Sequence, residues 1–78
     1  MVAKIYTVPD CAWCTKAKTW LKNNNISFQE LDTSEVEDYR DQLIQKTGQL
    51  SVPVIELDQK TIVGYHEDQM RDAFRHPA

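Results

Sequence analysis

Apolar and polar residues alternate with two different periods along this chain, and each change of period marks an element. Residues 2–8, Val-Ala-Lys-Ile-Tyr-Thr-Val, are rich in β-branched and aromatic types and predict a buried strand. Pro9 and Asp10 end it. Asp10 is expected to cap the helix that follows, its side-chain oxygen accepting from a free backbone N–H. Over about 12–24, Trp13, Ala17, Trp20 and Leu21 recur at steps of four, three and one, which is one face of a helix. Lys16, Lys18 and Lys22 fall mostly on its polar side. Asn23-Asn24-Asn25 should stop it, because Asn tolerates the left-handed backbone of a helix end.

Ile26, Phe28 and Leu31, set among polar residues, predict a second strand over 26–31. Thr33 or Ser34 is expected to cap a second helix, Ser34 and Glu37 matching a capping box. Val36, Tyr39, Leu43 and Ile44 form its apolar face, and Gly48 stops it. Val52 to Leu57 predict a third strand, Asp58-Gln59-Lys60 a tight hairpin turn, and Thr61-Ile62-Val63 a fourth strand. Gly64 breaks that strand, and a last helix over about 67–75 places Met70, Ala73 and Phe74 on one face before a short His76-Pro77-Ala78 tail. The order is β-α-β-α-β-β-α. The first β-α-β unit calls for two parallel strands with a right-handed crossover. The hairpin adds antiparallel strands to the same sheet. The expected class is α/β, a four-stranded mixed sheet with three helices, in one domain over 1–78.

Composition narrows the use of such a fold. The 78 residues carry a net charge of -3, with 41% hydrophobic and 27% charged residues, which suits a soluble globule. The mild acidity argues against nucleic acid as the main partner. No apolar run approaches the ~20 residues that span a bilayer, so no membrane role is expected. Met1-Val2-Ala3-Lys4 leads straight into a strand, with no signal peptide pattern. The expected location is cytoplasmic, and the expected state is a monomer.

The chemistry lies in Cys11-Ala12-Trp13-Cys14, which holds both cysteines. Two thiols are too few for the framework of a secreted mini-protein, and a lone Cys-x-x-Cys reads better as redox-active or metal-binding. The thiolate is the nucleophile, and a helix N-terminus favours it through free N–H groups and the positive dipole end. Cys11, at the strand-to-helix junction, should gain most; Cys14 lies one turn in. Lys16 and Lys18 add positive charge, while an ionised Asp10 works the other way. In thiol–disulfide exchange Cys11 would attack a substrate disulfide and Cys14 would resolve the mixed disulfide. Trp13 either forms an apolar docking surface beside the thiols or packs in the core.

Competing readings are weaker. Two incidental buried cysteines would not need a strand-to-helix junction. Tetrahedral zinc needs two further ligands, and only His66 and His76 are available besides acids, at a spacing that fits no common pattern. No metal is expected in the monomer, while a shared iron–sulfur site between two copies stays open. Ser51-Val52-Pro53 is either a plain strand start or a docking edge, with a cis Pro53 against the thiols and Val52 offering its backbone to an extended substrate. In Gly64-Tyr65-His66-Glu67-Asp68, the glycine permits close backbone approach, and the acids either cap a helix or meet a ligand's amino group.

These three constellations, in this order, resemble the glutaredoxins of the thioredoxin-fold superfamily. Tyr6 to Leu21 is similar to that family's active-site strand and helix, and Thr47 to Pro53 to its Thr-Val-Pro segment, which implies a cis Pro53. The resemblance implies a minimal thioredoxin fold and a dithiol oxidoreductase with Cys11 and Cys14 catalytic. Trp13, Val52, Pro53, Gly64, Tyr65 and Asp68 would bind substrate. No bound cofactor is needed, and glutathione is a candidate reducing cosubstrate. Many glutathione-binding members carry Lys where this chain has Val8, and a Gly-Gly pair where it has Val63-Gly64; their acid falls on Glu67 or Asp68. Gly64, Tyr65 and Asp68 also resemble the Ser-Gly-Phe-Arg-Pro-Asp segment of NrdH-type redoxins, although Val63, His66 and Glu67 differ from it. Such redoxins are reduced by thioredoxin reductase and supply ribonucleotide reductase. The implied partners are a disulfide-containing protein and either glutathione or a thioredoxin reductase. A non-catalytic thioredoxin-fold module that binds a partner or a metal is the reading from another class.

Overall fold

Four strands form one sheet in the order β2-β1-β3-β4 in the computed structural model, which describes residues 2–57 and 60–74. Strand β1 (Val2–Thr7) pairs in parallel with β2 (Ser27–Asp32) and antiparallel with β3 (Val54–Leu57), and β3 pairs antiparallel with β4 (Lys60–Val63). Three helices cover the sheet: α1 (Ala12–Asn23), α2 (Glu37–Thr47) and α3 (Glu67–Ala73). The β-α-β-α-β-β-α order and the mixed sheet are those expected. Asp58 and Gln59 of the expected turn, the last residue of the expected third helix and the tail lie outside the described residues.

Side-chain alternation along β1 divides the core in two. Ala3 and Ile5 join Ile55, Leu57 and Ile62 against Ala17, Leu21 and Met70 of α1 and α3. Tyr6 points the other way, with Leu31, Leu43 and Val54 and with half-buried Tyr39 and Val52. A sheet covered on both faces needs apolar residues at both parities, unlike one with a wet face. The same holds for β2. Ile26 and Phe28 pack toward α1 and α3, whereas Leu31 faces the α2 side.

Helix ends account for most other differences. Asn25 adopts φ 58 after α1, and Gly48 takes φ 76 at the end of α2, its N–H donating to Ile44 O at 2.7 Å. Both stops are the expected ones. The starts are not. Asp10 does not cap α1; it turns the chain at φ 57, and Cys11 is the cap. Ser34 does not box α2; its N–H and hydroxyl donate to Asp32 Oδ1 at 2.9 and 2.6 Å, closing a local turn. The helix begins later, with Val36 at its cap and no side-chain cap bond, and Glu37 and Asp38 in its first turn favour the dipole.

Only Leu43 of α2 is buried, and Val36 and Ile44 stand exposed rather than in the core. Lys46 supplies part of the cover instead, its ammonium 5.5 Å from the Tyr6 ring centre and paired with Glu56. Burial works against the Lys46 charge, but the Glu56 carboxylate and the Tyr6 contact outweigh it and hold its titration above the ordinary lysine value.

Candidate active site

Strand β1 stops at Thr7 because Pro9 has no N–H for the ladder. The Asp10 turn then delivers Cys11 to the free end of α1. Cys11 has an extended backbone, φ -107 and ψ 108, and its sulfur accepts the Cys14 N–H at 3.1 Å. Its carbonyl accepts the Thr15 N–H at 3.1 Å and the Thr15 hydroxyl at 3.2 Å. A sulfur thus serves as the N-cap acceptor, the task usually given to Ser, Thr, Asp or Asn. The two cysteines form a disulfide with Cα atoms 5.2 Å apart. Their exposure is unequal: Cys14 is 2% exposed, while Cys11 is only half-buried.

The sheet register brings the other constellations to the same end. Tyr6 pairs with Val54, and Val54 with Val63, so Pro53 and Gly64 both flank the finish of β1. The Val52–Pro53 peptide is cis, Pro53 is buried, and its carbonyl accepts the Gly64 N–H at 2.7 Å. Gly64 sits at φ 88, where a Cβ would come within 3.2 Å of His66 Nε2. Val52 lies outside the ladder, and among the described residues no hydrogen bond engages its backbone.

Trp13 lies on the surface at 56% exposure, not in the core. Its ring is 5.9 Å from that of Tyr65, and the Lys16 ammonium lies 4.6 Å from its centre. The contact joins the cysteine helix to the segment after β4. Asp68 is not drawn into this group; it pairs with Arg71 at 3.0 Å on an exposed face of α3. Of the two candidate acids, Glu67 is nearer the group, lining a cleft with Lys16, Trp20 and Tyr65.

A second, larger cleft of about 630 Å³ opens on the other side of the cysteines, lined by Asp10, Cys11, Cys14, Lys18, Glu30 and Asp32 among others. Lys18 Nζ lies 3.1 and 3.3 Å from the two Glu30 oxygens, and the Thr7 hydroxyl donates to Glu30 at 2.8 Å. The Thr7 bond is the main reason that Glu30 titrates below the usual carboxylate range; Lys18 assists and burial opposes. Asp32 is also held low, by the Ser34 hydroxyl and then the Ser34 N–H. Sequence reasoning found Lys18 but missed Thr7 and Glu30. Glu30 shares strand parity with Ile26 and Phe28, and an acid on an apolar face was the available signal. Among the described residues no group of three or more His, Cys, Asp or Glu is disposed to hold a metal, and no helix is long and apolar enough to cross a membrane.

Comparison with known proteins gives a consistent picture. A family model described as glutaredoxin matches residues 3–62. Over 67 residues the chain is 36% identical to a glutaredoxin-like 8.6 kDa protein of a rubredoxin operon in Clostridium pasteurianum, covering 86% of this chain and 89% of that one. Over 70 residues it is 34% identical to glutaredoxin 3 of Escherichia coli strain K12, covering 90% and 84%. The solved structure of NrdH-redoxin from Escherichia coli matches with a TM-score of 0.84 at 22% identity, covering 99% of this chain and 100% of that one, a likeness of fold.

Proposed function

The chain belongs to the glutaredoxin family of thiol–disulfide oxidoreductases, and from that premise we propose that it reduces disulfides of protein partners by a dithiol mechanism. The Cys11 thiolate attacks one substrate sulfur, forming a mixed disulfide and expelling the other sulfur as a thiolate, which takes up a proton. Cys14 then loses its proton and attacks Cys11, releasing the second substrate thiol and closing the Cys11–Cys14 bond. The substrate gains two electrons and two protons, and the dithiol loses them. The observation that carries this assignment is the 3.1 Å bond from the Cys14 N–H to the Cys11 sulfur, on the more exposed cysteine. A donor aimed at a sulfur favours its anion.

Val52 is the proposed docking edge, its unladdered backbone suited to an extended substrate chain. Trp13 and Tyr65 form the proposed apolar wall beside it. For the reset step, the surroundings favour a flavoprotein of thioredoxin-reductase type over glutathione. Val8 and exposed Val63 are apolar where an anionic tripeptide would want cations and backbone access, and Asp68 is engaged with Arg71. Supply of electrons to ribonucleotide reductase is the further reading that Gly64 and Tyr65, tilted against Trp13, favour. The reaction needs a pool kept reducing, which suits the cytoplasm.

The test mixes oxidised protein with glutathione, or with thioredoxin reductase and NADPH, and follows opening of the Cys11–Cys14 bond. The expected result is fast turnover with the flavoprotein and slow turnover with glutathione; the reverse refutes the assigned reductant. A Cys14→Ser variant should accumulate mixed disulfides through Cys11, and absence of any adduct would refute the two-step mechanism.

A further inference from the structure

The exchange steps leave the Thr7–Lys18–Glu30 cluster unused. Thr7, 1% exposed, ends β1 four residues before Cys11. Lys18 follows Cys14 by four residues on α1, one turn on and on the same side of the helix. Glu30 projects from β2 and binds both. All but Thr7 open into the cleft that both cysteines line. The charged groups facing that cleft are Asp10 from the turn, Glu30 and Asp32 from β2, and Lys18 from α1. Lys16 is the next cation along α1, but it lies over Trp13, toward the other flank.

The geometry points to Lys18 as a positioning residue for the proposed reaction. Tethered by Glu30, it is the cation of the cleft that offsets the carboxylates of Asp10, Glu30 and Asp32, and it thereby sets how readily the attacking thiol ionises. The inference rests on Cys11 being that thiol. Glu30 acts in the opposite sense. It adds a negative charge to the cleft and engages the ammonium with both of its oxygens. The Thr7 hydroxyl first, and Lys18 after it, hold the Glu30 titration below the ordinary glutamate value, so the tether stays ionised further into acid. No bond to Lys18 forms or breaks; the Cys11 proton passes to water in the open cleft.

The test is carried out in the Cys14→Ser variant, where Cys11 is the sole thiol, by following thiolate ultraviolet absorbance against pH. Lys18→Met should move the midpoint up and Glu30→Gln should move it down. Lys18→Arg, which keeps the charge, should restore it. Below the midpoint each neutralising variant should change the thiolate fraction about threefold, an effect that shrinks at high salt. Midpoints that do not move, or that move the same way in both variants, overturn the inference and leave the pair as a brace between β2 and α1. If Lys18→Met does not fold, Glu30→Gln decides alone, and a midpoint that fails to fall overturns it. An ordinary thiol titration in the parent variant refutes the assignment of Cys11 itself, and the inference with it.

Discussion

Alkylation of the single-cysteine variants tests the asymmetry on which the proposed mechanism depends. In Cys14→Ser, Cys11 keeps its donor, because the 3.1 Å bond comes from the backbone N–H of residue 14. A hydrogen bond to a charged acceptor contributes about 1.5–3 kcal/mol, and a helix N-terminus about 0.3–1 kcal/mol more. The lower sum, about 1.8 kcal/mol, exceeds the ~1.4 kcal/mol of a tenfold change in ionisation. Intrinsic nucleophilicity falls with basicity and takes back about half of that on a logarithmic scale. About a threefold rate advantage over an unperturbed thiol remains. In Cys11→Ser, Cys14 is 2% exposed and, among the described residues, no donor reaches its sulfur. Burial opposes its thiolate and blocks the reagent. Iodoacetamide at neutral pH, followed by intact-mass spectrometry, should therefore modify Cys14→Ser more than about threefold faster than Cys11→Ser. Serine is itself a good N-cap, so circular dichroism should show α1 unchanged in Cys11→Ser. Equal rates, or a faster Cys14, would refute the assignment of the attacking thiol.

Three other outcomes are expected. Leu21→Ala empties a fully buried site between α1 and the sheet and should lower the urea-unfolding free energy by about 2–5 kcal/mol. Gly64→Ala must hold a side chain at φ 88 with its Cβ 3.2 Å from His66; it should raise KM for a protein disulfide several-fold while Cys11 alkylation stays unchanged. Because the folded-state titration of Glu30 is depressed, its stabilising effect is complete above the ordinary glutamate value and is lost as pH falls through the depressed one. Glu30 is 38% exposed, so this effect is below about 1 kcal/mol. The stabilities of native protein and Glu30→Gln should differ at neutral pH and converge in acid.

Most of the architecture was legible because strands and helices here obey their own periods. β1 is rich in β-branched and aromatic residues, α1 buries Cys14, Ala17 and Leu21 along one face, and Asn25 and Gly48 carry the left-handed stops that their residue types favour. The helix starts were less legible. Asp10, Ser34 and the Cys11 sulfur can each accept an N–H, and the turn geometry before the helix decides which of them does. Asp10 is spent on the turn at φ 57, and Ser34 on its bond to Asp32. A sheet packed on both sides accepts apolar residues at either parity, so Ile26 and Phe28 face α1 and α3 while Leu31 faces α2, a division the strand pattern alone does not show. Glu30 was hidden for a related reason. Its partners Thr7 and Lys18 are 23 and 12 residues away, and only the parallel pairing of β1 with β2, under α1, brings them together.

The bond between the Gly64 N–H and the Pro53 carbonyl has a consequence for how such a protein diversifies. It joins the two walls beside the thiols through main-chain atoms alone. The exposed side chain at 63 can therefore change freely, and those at 52 and 65, which also pack against the core, can change without breaking this main-chain link. Recognition and scaffold become separable traits, and a family can exchange one partner for another by altering a few surface residues while the frame persists. Grafting residues 63 and 65 from a relative with a different partner is then a rational route to redirecting this chain.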